Sequence, residues 1–160
     1  MPTSLVKRYM KLQKTLVATT RIERPLDEVF DFFSKAENLD AITPPALRFK
    51  ILTPTPIAMH TGTRIRYKIS LFGIPMFWKT LISTWNPPYE FVDEQTSGPY
   101  TIWHHRHSFK ADGNATIMTD TITYQSKGWI LAPFLHWLFV DKQVEGIFAY
   151  REKKLHELFA

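Results

Sequence analysis

The chain has 160 residues, 44% of them hydrophobic, 14% aromatic and 22% charged, which fits one globular domain with more rings than a minimal core requires. It has no cysteine, so disulfides, thiolate nucleophiles and thiolate zinc sites are excluded, and any chemistry falls to His, Asp, Glu, Lys, Arg, Tyr, Ser and Thr. The net charge of +5 is confined to the start, where Lys7, Arg8, Lys11, Lys14, Arg21 and Arg24 face Glu23 alone while the remainder is balanced; that reads as a solvated, aggregation-resisting end and argues against a nucleic-acid partner.

Residues 1–9 are assigned to a basic tail and 10–160 to a single domain. The opening "MPTSLVKRYMKLQKTL" has no apolar run backed by a small-residue cleavage site, so the expectation is a cytoplasmic protein. From Lys11 to Ile22 apolar and polar residues alternate, which predicts a first strand. The period then changes. Pro25 suits a first helical turn, Asp27 and Glu28 suit its positive end, and Leu26, Val29, Phe30 and Phe33 recur at helical spacing, so a short helix is predicted over 25–34 with a second turn at 37–41. "TPP" at 43–45 ends it.

A succession of strands follows: "LRFKIL", "TRIRYKISLF", "MFWKTLISTW", "YEFVDEQT", "YTIWHHRHSFK" and "TIMTDTITYQ", separated by the turn signals "GIP", "NPP", "SGP" and "ADGNA". This is an antiparallel meander. Beyond it Val140, Val144, Phe148, Leu155 and Phe159 share a helical stripe, which predicts a long terminal helix over 133–158 lying on the sheet. Gly146 interrupts it, read as a point of close packing since Gly disfavours helix. The run "WILAPFLHWLFV", 129–140, is too short to cross a bilayer, which takes about 20 apolar residues; it reads either as core packing or as an apolar portal. No stable membrane insertion is expected.

The order strand, short helices, strands, long helix describes an α+β fold in which a curved antiparallel sheet of about seven strands grips one helix. Space between the two is where small molecules bind. The element order, with "ENLDAITPP", "FVDEQ", "GPY", "W-x-H-x-H-x-F", "MTD" and "IFAYR", resembles the bacterial ligand-binding branch of the SRPBCC superfamily, the START-like helix-grip fold shared with birch-pollen-type allergens and polyketide cyclases. The likeness spans residues 12–158. The resemblance implies the fold and an internal cavity; the basic start and His104 depart from the family pattern.

"WHHRHSF" puts three histidines and an arginine in four successive positions, yet strand parity divides them. Trp103, His105, His107 and Phe109 share the inner face, and His104 and Arg106 the outer one. On the next strand Met118, Asp120, Ile122 and Tyr124 share a parity. A turn at Gly113–Asn114 sets His107 opposite Asp120, and one at Asp112–Gly113 sets His105 there. Either way an inward carboxylate meets an inward imidazole, which satisfies a group too costly to bury alone. As a metal set His105, His107 and Asp120 offer N, N and O; as catalysts they offer acid and base. The reading adopted is a polar network lining an apolar cavity, with no metal and no cofactor assigned.

Asp93 joins this patch if it continues inward with Phe91 and Gln95, while a bulge leaves Glu94 solvated instead. Arg151, on the apolar side of the last helix, either meets an acidic wall residue or ligand carboxylate, or reaches water. Phe30, Tyr67, Ile69, Trp78, Trp103, Phe109, Met118, Tyr124 and Phe148 are expected as apolar walls, with His105, His107 and Asp120 orienting a polar end. The expected partner is a lipid, fatty acyl or polyketide-like molecule bound by a monomer or homodimer. Two alternatives stay open: an enzyme of the cyclase, dehydratase or hydrolase kind using the same three residues, and an interaction protein with a closed core.

Overall fold

The computed structural model describes residues 13–71, 73–126 and 133–160, with side chains from 140 onward in the last segment. Strand β1 (Lys14–Ile22) leads into helix α1 (Leu26–Phe33) and two 3₁₀ turns, Ala36–Ile42 and Pro45–Leu47; strands β2 (Lys50–Ile51), β3 (Arg64–Leu71), β4 (Ile74–Asn86), β5 (Glu90–Ser97), β6 (Tyr100–Asp112) and β7 (Ala115–Ser126) follow, then helix α2 (Pro133–Leu158). The strands form one antiparallel sheet in the order β1-β7-β6-β5-β4-β3-β2. Consecutive strands are neighbours from β2 to β7, and β1 closes on β7 across the chain.

Hydrophobic periodicity accounts for the elements. Val29, Phe30 and Phe33 are buried on one side of α1, and Val144, Phe148, Arg151 and Leu155 on one side of α2. Two clusters share the concave face of the sheet. Under α1, Ile22, Val29, Phe30, Phe33, Phe91, Phe109, Met118 and Leu155 pack together; under the middle of α2, Ile69, Trp78, Tyr100, Ile122, Tyr124, Val144 and Phe148 do so. The hydroxyl of Tyr124 donates to Asp141 Oδ1 at 2.7 Å, and Lys14 pairs with the same carboxylate. This fastens α2 to β1 and β7.

Gly146 does not mediate close packing. It is exposed, and a Cβ built there meets nothing within 4 Å. Its only effect is on helix propensity, so Gly146→Ala is expected to stabilise the protein by about 1 kcal/mol, read as a rise of roughly 2–4 °C in thermal midpoint. A lowered midpoint would show that the site is crowded. No helix of the described residues is long and apolar enough to cross a membrane. The basic tail at 1–9 lies outside the described residues, and of the side chains in the run 129–140, read as core packing or portal, only Val140 is described, packed against the cluster under the middle of α2.

Candidate functional site

Strands β5, β6 and β7 assemble a buried polar cluster by parity. Phe91 faces His107 and Asp93 faces His105 across the β5–β6 ladder, so Asp93 does continue inward. Gln95 instead braces the following turn, with Nε2 donating to the Tyr100 carbonyl at 2.7 Å and Oε1 accepting from the Tyr100 amide at 3.2 Å. Gly98 is needed beneath it, since a Cβ would lie 2.5 Å from Gln95 Oε1. The pieces "DEQ" and "GPY" are therefore one clamp that sets Tyr100 and Trp103 over the inner face.

The β6–β7 hairpin takes the Gly113–Asn114 turn: Phe109 faces Met118, His107 faces Asp120, His105 faces Ile122 and Trp103 faces Tyr124. The in-line hydrogen bond to Asp120 nevertheless comes from the diagonal residue, His105, whose Nε2 lies 2.8 Å from Oδ1. Its facing residue, His107, brings Nδ1 to 2.8 Å from the same oxygen but out of line for an N–H···O bond, and turns Nε2 to Asp93 Oδ2 at 2.8 Å. The His105 Nδ1 is 3.5 Å from that Asp93 oxygen. Two imidazoles thus span two carboxylates, and their rings lie against each other, tilted by 35°, with centroids 3.7 Å apart. Phe91 covers His107 at 4.1 Å, and Phe148 of α2 meets His105 edge-on at 5.4 Å.

Both imidazoles are almost sealed, His105 at 3% and His107 at 4% exposure, so burial and proximity decide their charges. Burial, reinforced by the charge on His107, lowers the His105 pKa to about 4. Burial opposes the charged form of His107 too, but its contacts with Asp120 and Asp93 outweigh that and raise its pKa. The carboxyls are pushed up by burial and pulled down further by the histidines, and both end below the ordinary carboxylate range. The positive charge of the pair is therefore favoured on His107 and disfavoured on His105. Since a carboxylate only accepts, His105 carries its hydrogen on Nε2 and presents a bare Nδ1.

Arg151 of α2 completes the cluster. Its head is not in water: the residue is 8% exposed, its guanidinium lies 5.0 Å from the centroid of the Phe148 ring, and Nη1 stands 3.7 Å from Asp120 Oδ2. That separation is too long for a hydrogen bond, and both Nε and Nη1 lack partners. Two carboxylates are thereby balanced by two cations, His107 and Arg151. Asp93, His105 and His107 place one ligand atom each within 4.8 Å of one another. The two rings, tilted by 35°, turn one nitrogen each towards Asp93 Oδ2 and the other towards Asp120 Oδ1, so Asp120 lies on the opposite edge of the rings from Asp93.

A cavity of about 170 Å³ opens between the sheet, α2 and the 3₁₀ turns. It exceeds the roughly 150 Å³ that suffices for a benzene ring. Of the residues expected on its wall, Tyr67, Ile69, Trp78, Asp93, Trp103, His105, His107, Phe148 and Arg151 line it. Phe30, Phe109 and Met118 do not: the inner face extends past the cavity, and α1 covers that end as solid core. Tyr124 is withdrawn by its bond to Asp141, and Asp120 sits behind the histidines. Phe33, Leu39, Ile42, Leu47 and Phe49 supply the wall from the helical side and Ile65, Thr80 and Ile82 from the sheet. The last three share the parity of Tyr67 and Trp78, which was the available signal; the helical residues carry none. Trp78 Nε1 is a further buried donor without a partner.

Comparison with known proteins agrees with this architecture. The solved structures that resemble the chain include the ZhuI aromatase/cyclase from Streptomyces sp. R1128 (TM-score 0.74, 14% identity, 91% of this chain and 92% of that one). A START superfamily protein from Mycobacterium smegmatis (0.66, 13%, 90% and 98%) and the ginseng major latex-like protein 151 from Panax ginseng (0.66, 13%, 93% and 99%) are similar as well. No functionally curated sequence is significantly similar to the chain. Residues 22–149 match the sequence profile of the polyketide cyclase / dehydrase and lipid transport family, and with four-fifths of its length so matched, on a START-like helix-grip fold, the chain belongs to that family.

Proposed function

We propose that the protein binds a hydrophobic small molecule with one polar end in the cavity under α2. The observation that carries this reading is the contrast within one wall: mostly apolar side chains line the cavity together with the polar Asp93, His105, His107 and Arg151, while Arg151 Nε and Nη1 and Trp78 Nε1 are buried donors with no protein partner. Unsatisfied buried donors are costly, and an acceptor on a ligand relieves them. Asp93, His105, His107 and Arg151 orient the polar end from the cavity wall, with Asp120 holding the histidines from behind.

Catalysis is the second reading. It is favoured by one feature, two imidazoles, His105 and His107, side by side with Asp93 on the cavity wall, residue types that serve as general acid and base. A cyclase or dehydratase acting on a carbonyl compound would use that pair.

Trp78 and Trp103 line the cavity, so an apolar fluorophore such as 1-anilinonaphthalene-8-sulfonate is expected to accept energy from them on binding. Saturable transfer that is lost in the cavity-filling variant Ile69→Trp, after correction for the added indole and with the fold intact by circular dichroism, supports the reading. Transfer unchanged by that variant contradicts it.

A further inference from the structure

The sequence offers His105, His107 and Asp120 as a nitrogen, nitrogen and oxygen donor set, but the folded chain puts a different carboxylate in the third place. His105 and His107 share the inner face of β6, and Asp93 of β5 lies directly opposite His105. His107 Nε2 is 2.8 Å and His105 Nδ1 3.5 Å from one and the same atom, Asp93 Oδ2. One ligand atom from each of the three residues lies within 4.8 Å of the other two. All three line the cavity, whereas Asp120 does not. The Asp93 side chain, at 18% exposure, is the least sealed of them.

Two features give this group the character of a ligand set. His105 donates its Nε2 hydrogen to Asp120, so the nitrogen it turns towards Asp93 bears a lone pair and faces a carboxylate oxygen. Two acceptors opposed in a buried site repel each other, and a cation between them removes the repulsion. The second feature lies behind the rings. Asp120 Oδ1 is 2.8 Å from the outer nitrogen of each, His105 Nε2 and His107 Nδ1. A carboxylate on the far nitrogen of a ligating histidine fixes the orientation of the ring and raises its basicity, and here one carboxylate stands behind two.

We propose that Asp93 Oδ2, His105 Nδ1 and His107 Nε2 bind a divalent transition metal ion of the zinc class, with Asp120 as the positioning residue behind both rings. Bonds of about 2 Å in a tetrahedral site set ligand atoms roughly 3.4 Å apart. The 3.5 Å between His105 Nδ1 and Asp93 Oδ2 meets that spacing, and the His107–Asp93 contact has to widen by about half an ångström. The ion takes the place of the proton between His107 and Asp93, so the protonation described above is that of the metal-free protein. Magnesium and calcium prefer all-oxygen shells, and two imidazoles select against them. Three protein ligands leave a position open on the cavity side, as in sites that take a further ligand rather than in closed structural ones. With neutral imidazoles, two carboxylates, the ion and Arg151 sum to one positive charge, which favours an anionic oxygen in that position. The site needs only the three donors and is independent of which apolar molecule the cavity takes.

The test is calorimetric titration of zinc chloride into the full chain after a chelator has been added and dialysed away. One equivalent of zinc is expected to bind and magnesium is not, with no apolar ligand present, so the outcome is separate from that of the fluorophore titration. His105→Gln and His107→Gln, each with the fold intact by circular dichroism, should abolish that step. Asp120→Asn should weaken it about ten- to a hundredfold yet leave the visible spectrum of bound cobalt(II) in place, because Asp120 does not touch the ion. His104→Ala should change nothing. Ring-nitrogen NMR of the parent protein reads the site without any substitution: zinc is expected to move the His105 Nδ1 and His107 Nε2 signals and to leave those of His104 where they are. Absence of a one-equivalent step, zinc-induced shifts confined to other histidines, or undiminished binding by folded His107→Gln would overturn the proposal.

Discussion

Asp120→Ala is expected to destabilise the protein by about 3–5 kcal/mol, the usual consequence of removing one partner from a buried charge pair. Asp120 is 4% exposed. It accepts the His105 Nε2 hydrogen bond, lies 2.8 Å from His107 Nδ1 and is the carboxylate within 3.7 Å of Arg151. Its loss leaves a buried N–H without an acceptor and two cations facing Asp93 alone. The pKa of His107, raised by the two carboxylates, should fall, since the attraction favouring imidazolium is halved. Asp120→Asn separates charge from volume: it keeps an acceptor but should lower the same pKa. His104→Ala is the contrast, because His104 is exposed on the outer face and 3.8 Å from Glu94; it should change stability by less than about 0.5 kcal/mol. Urea unfolding and NMR titration of the ring nitrogens measure both effects. Unchanged histidine pKa values in Asp120→Asn would refute the pairing.

The second large effect is on stability as a function of pH. His105 has a folded pKa of about 4 against an ordinary value of 6.5, so between those limits the unfolded chain binds a proton that the folded one refuses. Stability must then fall on acidification from 6.5 towards 4, by up to about 3 kcal/mol. His107 has the opposite sign. Its folded pKa is raised, so its contribution is fully present below 6.5 and is lost as pH rises through the folded value. The carboxylates stay ionised throughout this range, their pKa values being lowered; their stabilisation is lost only under more acidic conditions. Stability should therefore peak near neutrality, with His105→Gln flattening the acid side and His107→Gln the alkaline side. A monotonic profile between pH 4 and 9 in the parent protein would contradict the opposite shifts of the two histidines.

Much of this was legible in the residues, for reasons of geometry. Alternation on "TRIRYKISLF" and "WHHRHSF" assigned faces because a strand has a period of two, and the inward placement of His105, His107 and Asp120 follows from nothing else. The hairpin register required a choice between two turns that the sequence "ADGNA" permits, and only the folded chain makes it. Which histidine bonds Asp120 was not legible at all: facing residues are set by register, whereas the in-line bond goes to the diagonal neighbour, within reach of a long side chain. Arg151 shows a similar limit. Its place on the stripe is periodic, but whether its head is sealed depends on how far α2 sinks towards Asp120 and Phe148. Phe109 and Met118 share the parity of the cavity wall and yet lie in solid core, because α1 covers their end of the sheet.

The proposed occupant of the cavity is an apolar molecule whose one polar end meets the buried polar groups of its wall. Native mass spectrometry of the protein purified from its host, without organic solvent, tests it most directly. The expected result is a mass excess from a small apolar compound bearing an acceptor at one end, retained by the parent protein, reduced in Arg151→Met and absent in the cavity-filling Ile69→Trp. A retained compound of equal abundance in all three proteins, or one without an acceptor group, would contradict it.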